Sequence, residues 1–288
     1  MSKILVRGIA INPVLKTHME MTFPVGNIKT SAKSALKAGL QILMDSTKVR
    51  NKTVLIYNSS IANIFLALIL KLNNNRVLFH LHDPIPHSGI LNPIVFFSNF
   101  LIVSISSVVL VFSKNLREQT KKFYFKKSIH IVAHGMNSFN YSETDLKKQS
   151  KTVIGFFGRN MPYKNYDSFL NAVKTYQNYQ FITVGSGYPS SKLSNLKIYS
   201  GYISNDNYYS LMKDVDYLFF SHSKISYSGV LSDAINLGKP IIVTNKAINK
   251  VPYTKKTQLT GKLPKVKNDG RITTNSWHVY KSSLNSIL

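Results

Sequence analysis

Cysteine is absent from the 288 residues. Disulfides and Cys-ligated zinc are therefore excluded, which fits a cytosolic protein. Acidic residues are scarce as well: 12 Asp+Glu stand against 37 Lys+Arg, for a formal net charge of +25. Such a surface attracts polyanions, which are nucleic acid, an anionic membrane leaflet or a phosphorylated substrate. Nucleic acid is disfavoured, because no recognised nucleic-acid motif is present and the basic residues are scattered. No signal peptide is expected, since the apolar run in "MSKILVRGIA" is short and Arg7 interrupts it. Charge is missing from Ile90 to Ser113, long enough to raise the question of a membrane span. Ser98, Asn99, Ser104, Ser106 and Ser107 break that run, and "SSVVLVFS" has the β-branching of a strand. Period therefore favours a helix over 93–106 followed by a buried strand. A membrane-apposed face around Phe96, Phe97 and Phe100 stays open.

What the chain does have is alternation. Short Val/Ile/Leu runs read as strands at 3–10, 53–60, 76–83, 108–114 and 129–135. Helical patterns lie between them near 28–44, 62–73, 93–106 and 114–124. "IANIFLALILKL" is apolar nearly all round and reads as a buried crossover helix. Residues 136–151 are polar and lack strand signals. A second series then begins, with strands at 152–158, 179–187, 196–203, 217–223 and 240–245 and helices at 164–176, 205–214 and 229–237. Apolar strands separated by helices indicate parallel sheets covered on both faces. The expected fold class is α/β, with two doubly wound Rossmann-like domains facing across a cleft. Domain limits are set at 1–140, a linker at 141–150, and a second domain at 151–272. A closing helix at 273–288 has Trp277, Tyr280, Leu284 and Leu288 on one face and is expected to pack back on the first domain. The tail at 246–271 carries Pro252 and Pro264, which argue against a long helix.

Two stretches can carry chemistry. In "GFFGRNMPYKNYDSFLNA" a strand ends at Gly158, followed by Arg159 and then Lys164 at a helix start. Glycine lets backbone approach a ligand, and the carboxyl end of a doubly wound sheet is where ligands bind. A guanidinium fork and a compact ammonium together suit a diphosphate. In a chain this basic, two solvated surface charges are the competing reading. In "SYSGVLSDAINLGKPIIVTN" a Ser-Gly turn precedes an amphipathic helix that ends at Gly238. The N–H groups of Gly229, Val230 and Leu231 would form an anion site there. Asp233 is one turn in; it can accept from ribose hydroxyls or simply suit the helix dipole. His80, His82 and His87 cluster with Asp83, but two prolines and the lack of further acids disfavour a metal. No metal and no bound cofactor are expected.

Together these stretches resemble the glycosyltransferases of the two-Rossmann-domain type (GT-B), in particular family 4. That family shows strand, Gly-Arg, loop, Lys and helix, then about 70 residues later Glu, seven residues, Glu-Ala, and Gly-Lys-Pro before a strand. "FFGRNMPYKNYDSFLNA" and "SGVLSDAINLGKPIIV" match these parts, and "HLHDPIPHSG" looks like the His-containing acceptor loop. The resemblance implies that Arg159 and Lys164 hold the donor diphosphate, beside Gly158. It implies that backbone at Ser228, Gly229 and Val230 shares that contact and that Asp233 meets ribose. His82, with Asp83 beside it, takes the place of the family's active-site histidine. Two departures stand out: Ile225 replaces the family's first Glu, and no glycine-rich loop follows the first strand. Ser226 or Tyr227 could compensate for Ile225.

The resemblance implies a metal-independent hexosyltransferase that retains anomeric configuration. Its donor would be a nucleotide diphosphate sugar, and its acceptor a saccharide or lipid-linked glycan in cell-surface polysaccharide synthesis. The basic stretch "KNLREQTKKFYFKK" and the 93–106 segment add an anionic membrane surface as partner, so the expected location is cytoplasmic and peripheral on the inner membrane face. The alternative is a catalytically inactive sugar-nucleotide-binding or scaffold protein of the same fold, motivated by Ile225 and the missing glycine loop.

Overall fold

The computed structural model describes residues 4–11, 19, 27–32, 36–85, 92–125, 128–132, 139–201, 203–222, 228–244, 256–257, 263 and 284. The chain divides into two compact units, Met1–Gly135 with Asn275–Leu288, and Met136–Thr274. Each holds a six-stranded sheet in which every described pair is parallel.

The first sheet contains β1 (Leu5–Ile11), β2 (Ile28–Ala32), β3 (Thr53–Ile56), β4 (Arg76–His80), β5 (Val108–Val111) and β6 (Ile129–Ile131). Its order is β2-β1-β3-β4-β5-β6. The chain reverses direction across the sheet once, between β1 and β3, which makes that the topological switch point. Four helices follow the strands from β2 onward: α1 (Leu36–Ser46), α2 (Ile61–Leu72), α3 (Asn92–Ile105) and α4 (Lys114–Tyr124). Successive right-handed crossovers advancing in one direction put all four on one face of the sheet. Neighbours in that layer pack on each other in sequence order. Val54, Leu55, Val77, Leu78, Val109 and Leu110 are fully buried, as strands covered on both faces require.

Two expectations are corrected here. The helix expected from residue 28 begins at Leu36, because Ile28–Ala32 is an edge strand paired parallel to β1. "IKTSA" has little apolar pattern of its own; partner hydrogen bonds from β1 make it a strand. The α2 helix is not buried all round. Its inner face buries Ile64, Leu66, Ala67 and Leu70, while Ile61, Phe65, Leu68 and Leu72 are exposed. Among the described residues no helix is long and apolar enough to cross a membrane.

A buried asparagine fixes the switch point. Ser60 caps α2 by accepting from Asn63 N–H. Asn63 then accepts from Ile9 N–H at 2.9 Å and donates to the carbonyls of Ile9 and Asn58 at 3.1 and 3.0 Å. One side chain thus satisfies both backbone groups of Ile9.

The second sheet contains β7 (Val153–Phe157), β8 (Gln180–Val184), β9 (Leu196–Tyr199), β10 (Tyr217–Phe220), β11 (Ile241–Val243) and β12 (Lys256–Thr257). Read from β9 the order is β9-β8-β7-β10-β11-β12, the 3-2-1-4-5-6 arrangement of dinucleotide-binding sheets, with its switch point between β7 and β10. Helices α5 (Tyr166–Thr175), α6 (Asn205–Asp214) and α7 (Gly229–Asn236) link the strands. β12 falls within the tail, beside β11.

Residues 140–148 are strapped to this unit. The Asp214 carboxylate accepts from Tyr141 Oη, Thr144 N and Thr144 Oγ1, each at 2.8 Å. A single 3-10 turn at Asp145–Lys148 comes next, and Leu146 enters the core of the second sheet. Trp277, Tyr280 and Leu288 of the expected closing helix lie outside the described residues; Leu284 is buried.

Replacing Asn63 by Leu leaves the Ile9 N–H unpaired in the interior, while Asn58 and Ser60 still donate to the Ile9 carbonyl. The expected loss is about 2 kcal/mol. Urea unfolding checks this through a lower midpoint at an unchanged slope.

Candidate functional site

The carboxyl end of β7 is built around a buried ammonium. β7 stops at Phe157, and Gly158 turns the chain with φ 92°, a conformation that disfavours a side chain. Space makes the same demand. A Cβ on Gly158 would lie 2.4 Å from Lys164 Nζ and 3.2 Å from Val230 Cγ2. Lys164 is only 5% exposed and donates to the Phe157 carbonyl at 3.1 Å. Among the described residues no carboxylate is paired with it. Burial, helped by the neighbouring Arg159 charge, pulls the Lys164 pKa down to about 8. Arg159 itself is exposed.

Three contacts hold this turn rigid. Ser221, directly after β10, donates to the carbonyl of Lys164 at 2.6 Å and to that of Asn165 at 3.1 Å. Asn165 takes the left-handed conformation at φ 54°, which Asn tolerates, and so ends the 3-10 turn Pro162–Lys164. Tyr188 donates to the Gly158 carbonyl at 2.6 Å. From the β8 side, Gly185 brings its backbone so close that an added Cβ would lie 2.3 Å from the Gly158 oxygen. Sequence reasoning missed Ser221, Tyr188 and Gly185. The "VGSG" at the end of β8 was the available signal, since paired glycines after a strand mark close backbone approach.

The start of α7 closes the other side. Ser228 is its N-cap, accepting from Leu231 N–H at 3.3 Å. A cap of this kind contributes about 1 kcal/mol. The N–H groups of Gly229 and Val230 belong to the first turn, which has no intrahelical acceptor for them. The structure therefore brings Gly158, Lys164 and Val230 together at the β7/β10 switch point. Two cations and a helix N-terminus share this corner, an electrostatic setting that favours an anion.

Asp233 is placed differently from its expected outward role. Its carboxyl is buried on the α6 side of α7, with Tyr209 Oη at 3.5 Å. Burial pushes its pKa up to about 7, against a smaller opposing pull from Tyr209. Ile225, Ser226 and Tyr227 lie outside the described residues.

His82 and Asp83 belong to the first unit. Tyr57, His80, His82 and Phe112 form one aromatic cluster, with His80 4.1 Å from Phe112 and 4.5 Å from His82 between ring centroids. His80 is a packed core residue. His82 Nε2 lies 3.1 Å from the Tyr57 carbonyl. A carbonyl only accepts, so Nε2 carries the proton and Nδ1 keeps its lone pair. Burial lowers the His82 pKa, with Asp83 and the Tyr57 bond pulling the other way. The loop is held from outside: Asn99 donates to the Asp83 carbonyl at 3.0 Å, and Tyr124 Oη to that of Pro84. His87 lies outside the described residues. Among the described residues no group of three His, Cys, Asp or Glu side chains could hold a metal.

No protein-family profile matches the chain, and no curated protein matches it. Solved structures do. Anabaena HepE in complex with UDP and glucose superposes with a TM-score of 0.64 at 14% identity, over 99% of this chain and 89% of that one. A UDP-forming α,α-trehalose-phosphate synthase from Burkholderia xenovorans gives 0.59 at 8% identity, over 99% and 95%. The UDP-GlcNAc 2-epimerase of Methanocaldococcus jannaschii gives 0.58 at 10% identity, over 99% of both chains. At these identities the shared property is the fold: two doubly wound parallel α/β units, the architecture of these nucleotide-sugar proteins.

The buried lysine has a measurable signature. Its folded pKa, about 8, lies below its ordinary value of 10.5. Between those values the unfolded chain binds the extra proton, so the lysine's contribution to stability rises with pH across that window. Below about pH 8 the buried charge is a constant cost. Lys164→Met should therefore be more stable than wild type near pH 7, by on the order of 1–3 kcal/mol. The advantage should shrink toward pH 10. Thermal unfolding of both proteins across that range measures it.

Proposed function

We propose that the chain is a glycosyltransferase acting on a nucleotide diphosphate sugar. It moves the sugar, with retention, to a hydroxyl of a saccharide or lipid-linked acceptor in cell-surface glycan synthesis. The carrying observation is the corner at the β7/β10 switch point, where Gly158, the buried Lys164 and the N-terminus of α7 meet. The presence of UDP with glucose in HepE supports a uridine nucleotide as donor.

Each residue then has a role. Lys164 and Arg159 take the charge that develops on the departing diphosphate, doing without a metal what a divalent ion does elsewhere. Gly158 leaves room for the Lys164 ammonium beside it, and the N–H groups after Ser228, at Gly229 and Val230, bind the phosphate oxygens. Asp233, turned inward against Tyr209, is left out of the donor contacts. Neutral His82 offers Nδ1 to the acceptor hydroxyl, and Asp83 favours the imidazolium that results. The protein works in the cytoplasm, peripheral to the membrane.

A thermal-shift screen over UDP, GDP and ADP and their sugars tests the donor site. One diphosphate should raise the melting temperature by several degrees, and Lys164→Ala or Arg159→Ala should remove the effect. Affinity should be flat below about pH 8 and fall above it, as Lys164 loses its proton. If no nucleotide diphosphate shifts the transition, the donor assignment is wrong. Release of nucleoside diphosphate in the presence of acceptor separates the enzyme from an inactive binding protein.

A further inference from the structure

The helical layer of the first unit carries apolar side chains outside as well as inside. Thirteen large apolar side chains are exposed among the described residues, and ten of them lie on α1, α2 and α3. Residues 136–274 contribute only Tyr141. The spacing is helical. On α1 the exposed residues are Leu36, Leu40 and Met44; on α2 they are Ile61, Phe65, Leu68 and Leu72; on α3 they include Ile94 and Phe97. Meanwhile α2 buries Asn63, and α3 buries Ser98 and Asn99. These helices bury a few polar groups among apolar ones and leave ten large apolar side chains outside. Between α2 and α3 runs an open groove of about 550 Å³, lined by Ile61, Phe65, Pro93, Ile94, Phe97 and Leu101, among other apolar side chains. Monomers seldom expose a contiguous patch of this kind without a partner.

Charge identifies the partner. Lys37 lies beside Leu36, and Lys71 between Leu68 and Leu72. Lys48 and Arg50 come just after the end of α1, and exposed Lys114, Lys121 and Lys122 lie on α4, which packs on α3. The only acids on these four helices are Asp45 and Glu118. Asp45 already holds Lys29 at 2.7 Å, and Glu118 holds Lys121 at 3.3 Å. A second copy seated on this face would bring basic rim against basic rim. A zwitterionic surface gains little from the rim, whereas an anionic one is attracted by it.

We infer that the outer face of α1, α2 and α3 docks on an anionic lipid bilayer. Phe65 and Phe97 enter the acyl region beside the α2/α3 groove, and the lysine rim binds the headgroup phosphates. The face lies wholly in the first unit and rests on no part of the donor-site assignment.

Flotation of the full chain with vesicles tests it, using phosphatidylglycerol–phosphatidylcholine mixtures against phosphatidylcholine alone. Wild type should float with the anionic vesicles, weaken as salt rises toward about 1 M, where charge screening is nearly complete, and stay behind with the neutral ones. Phe65→Glu/Phe97→Glu should lower the bound fraction at least tenfold while keeping the far-ultraviolet dichroism of wild type. Lys48→Gln/Lys71→Gln should weaken binding and flatten the salt dependence. Three results overturn the inference: no flotation at low salt, equal flotation on neutral vesicles, or a wild-type dimer that Phe65→Glu/Phe97→Glu converts to monomer. Nucleotide thermal shifts on the aromatic variant tell a failed membrane face from a failed donor site, because the two sets of residues are disjoint.

Discussion

The second unit is organised around an ammonium that is out of water. Lys164 donates to the carbonyl of Phe157, the last residue of β7. That single bond carries little energy by itself, because burying a charge costs more than one neutral acceptor returns. The cost is visible in a pKa pulled down to about 8. Steric demands then propagate outward from the ammonium. Gly158 has no side chain because Nζ occupies the space. Gly185 has none because the Gly158 carbonyl does. Tyr188 fastens the Gly158 carbonyl, and Ser221 those of Lys164 and Asn165. Strain and desolvation collected in one corner, at the point where the strand order reverses, are what a preorganised anion site requires.

Sheet order explains why the corner falls there. β7 is the central strand; its neighbours β8 and β10 are reached by crossovers in opposite directions. Loops leaving β7 and β10 therefore diverge and open a crevice. Ser221 is the first residue after β10, so its reach to Lys164 ties the two diverging loops at their base. α7 then begins beside Gly158 through Val230. The first unit reverses between β1 and β3 and fastens its own switch point by Asn63, an internal amide in place of a bound charge.

Much of this was legible in the chain. Runs such as "TVLI", "VVLV" and "YLFF" are continuous and β-branched or aromatic, and each became a buried parallel strand. "IKTSA" was not legible, because an edge strand takes its hydrogen bonds from a neighbour and its own residues show no period. Of the candidate site, Gly158 and Lys164 could be named because spacing carries their relation. Ser221 and Tyr188 could not, since they act on backbone carbonyls 57 and 30 residues away. The Asp233 environment was hidden for a different reason. A helix position one turn in can face the ligand or the neighbouring helix, and only Tyr209 on α6 decides between them.

The helices α1–α3 differ from α5 in what they leave outside, and hydrophobic content alone does not show it. "IANIFLALILKL" is apolar on every side, so its period cannot say which side meets water. In a folded unit the sheet takes one face, and the remainder must find another neighbour or remain wet. Asn63, Ser98 and Asn99 are placed inward beside the apolar residues of the same helices. Asn63 is satisfied inside by Ile9, and Asn99 by the Asp83 carbonyl, at positions a leucine could fill. An amphipathic helix that merely covers a sheet has the reverse pattern. In the second unit α5 keeps the ordinary one, with Asp167 and Asn171 outward and Phe169 and Val173 inward. The contrast lies within one chain at one overall composition.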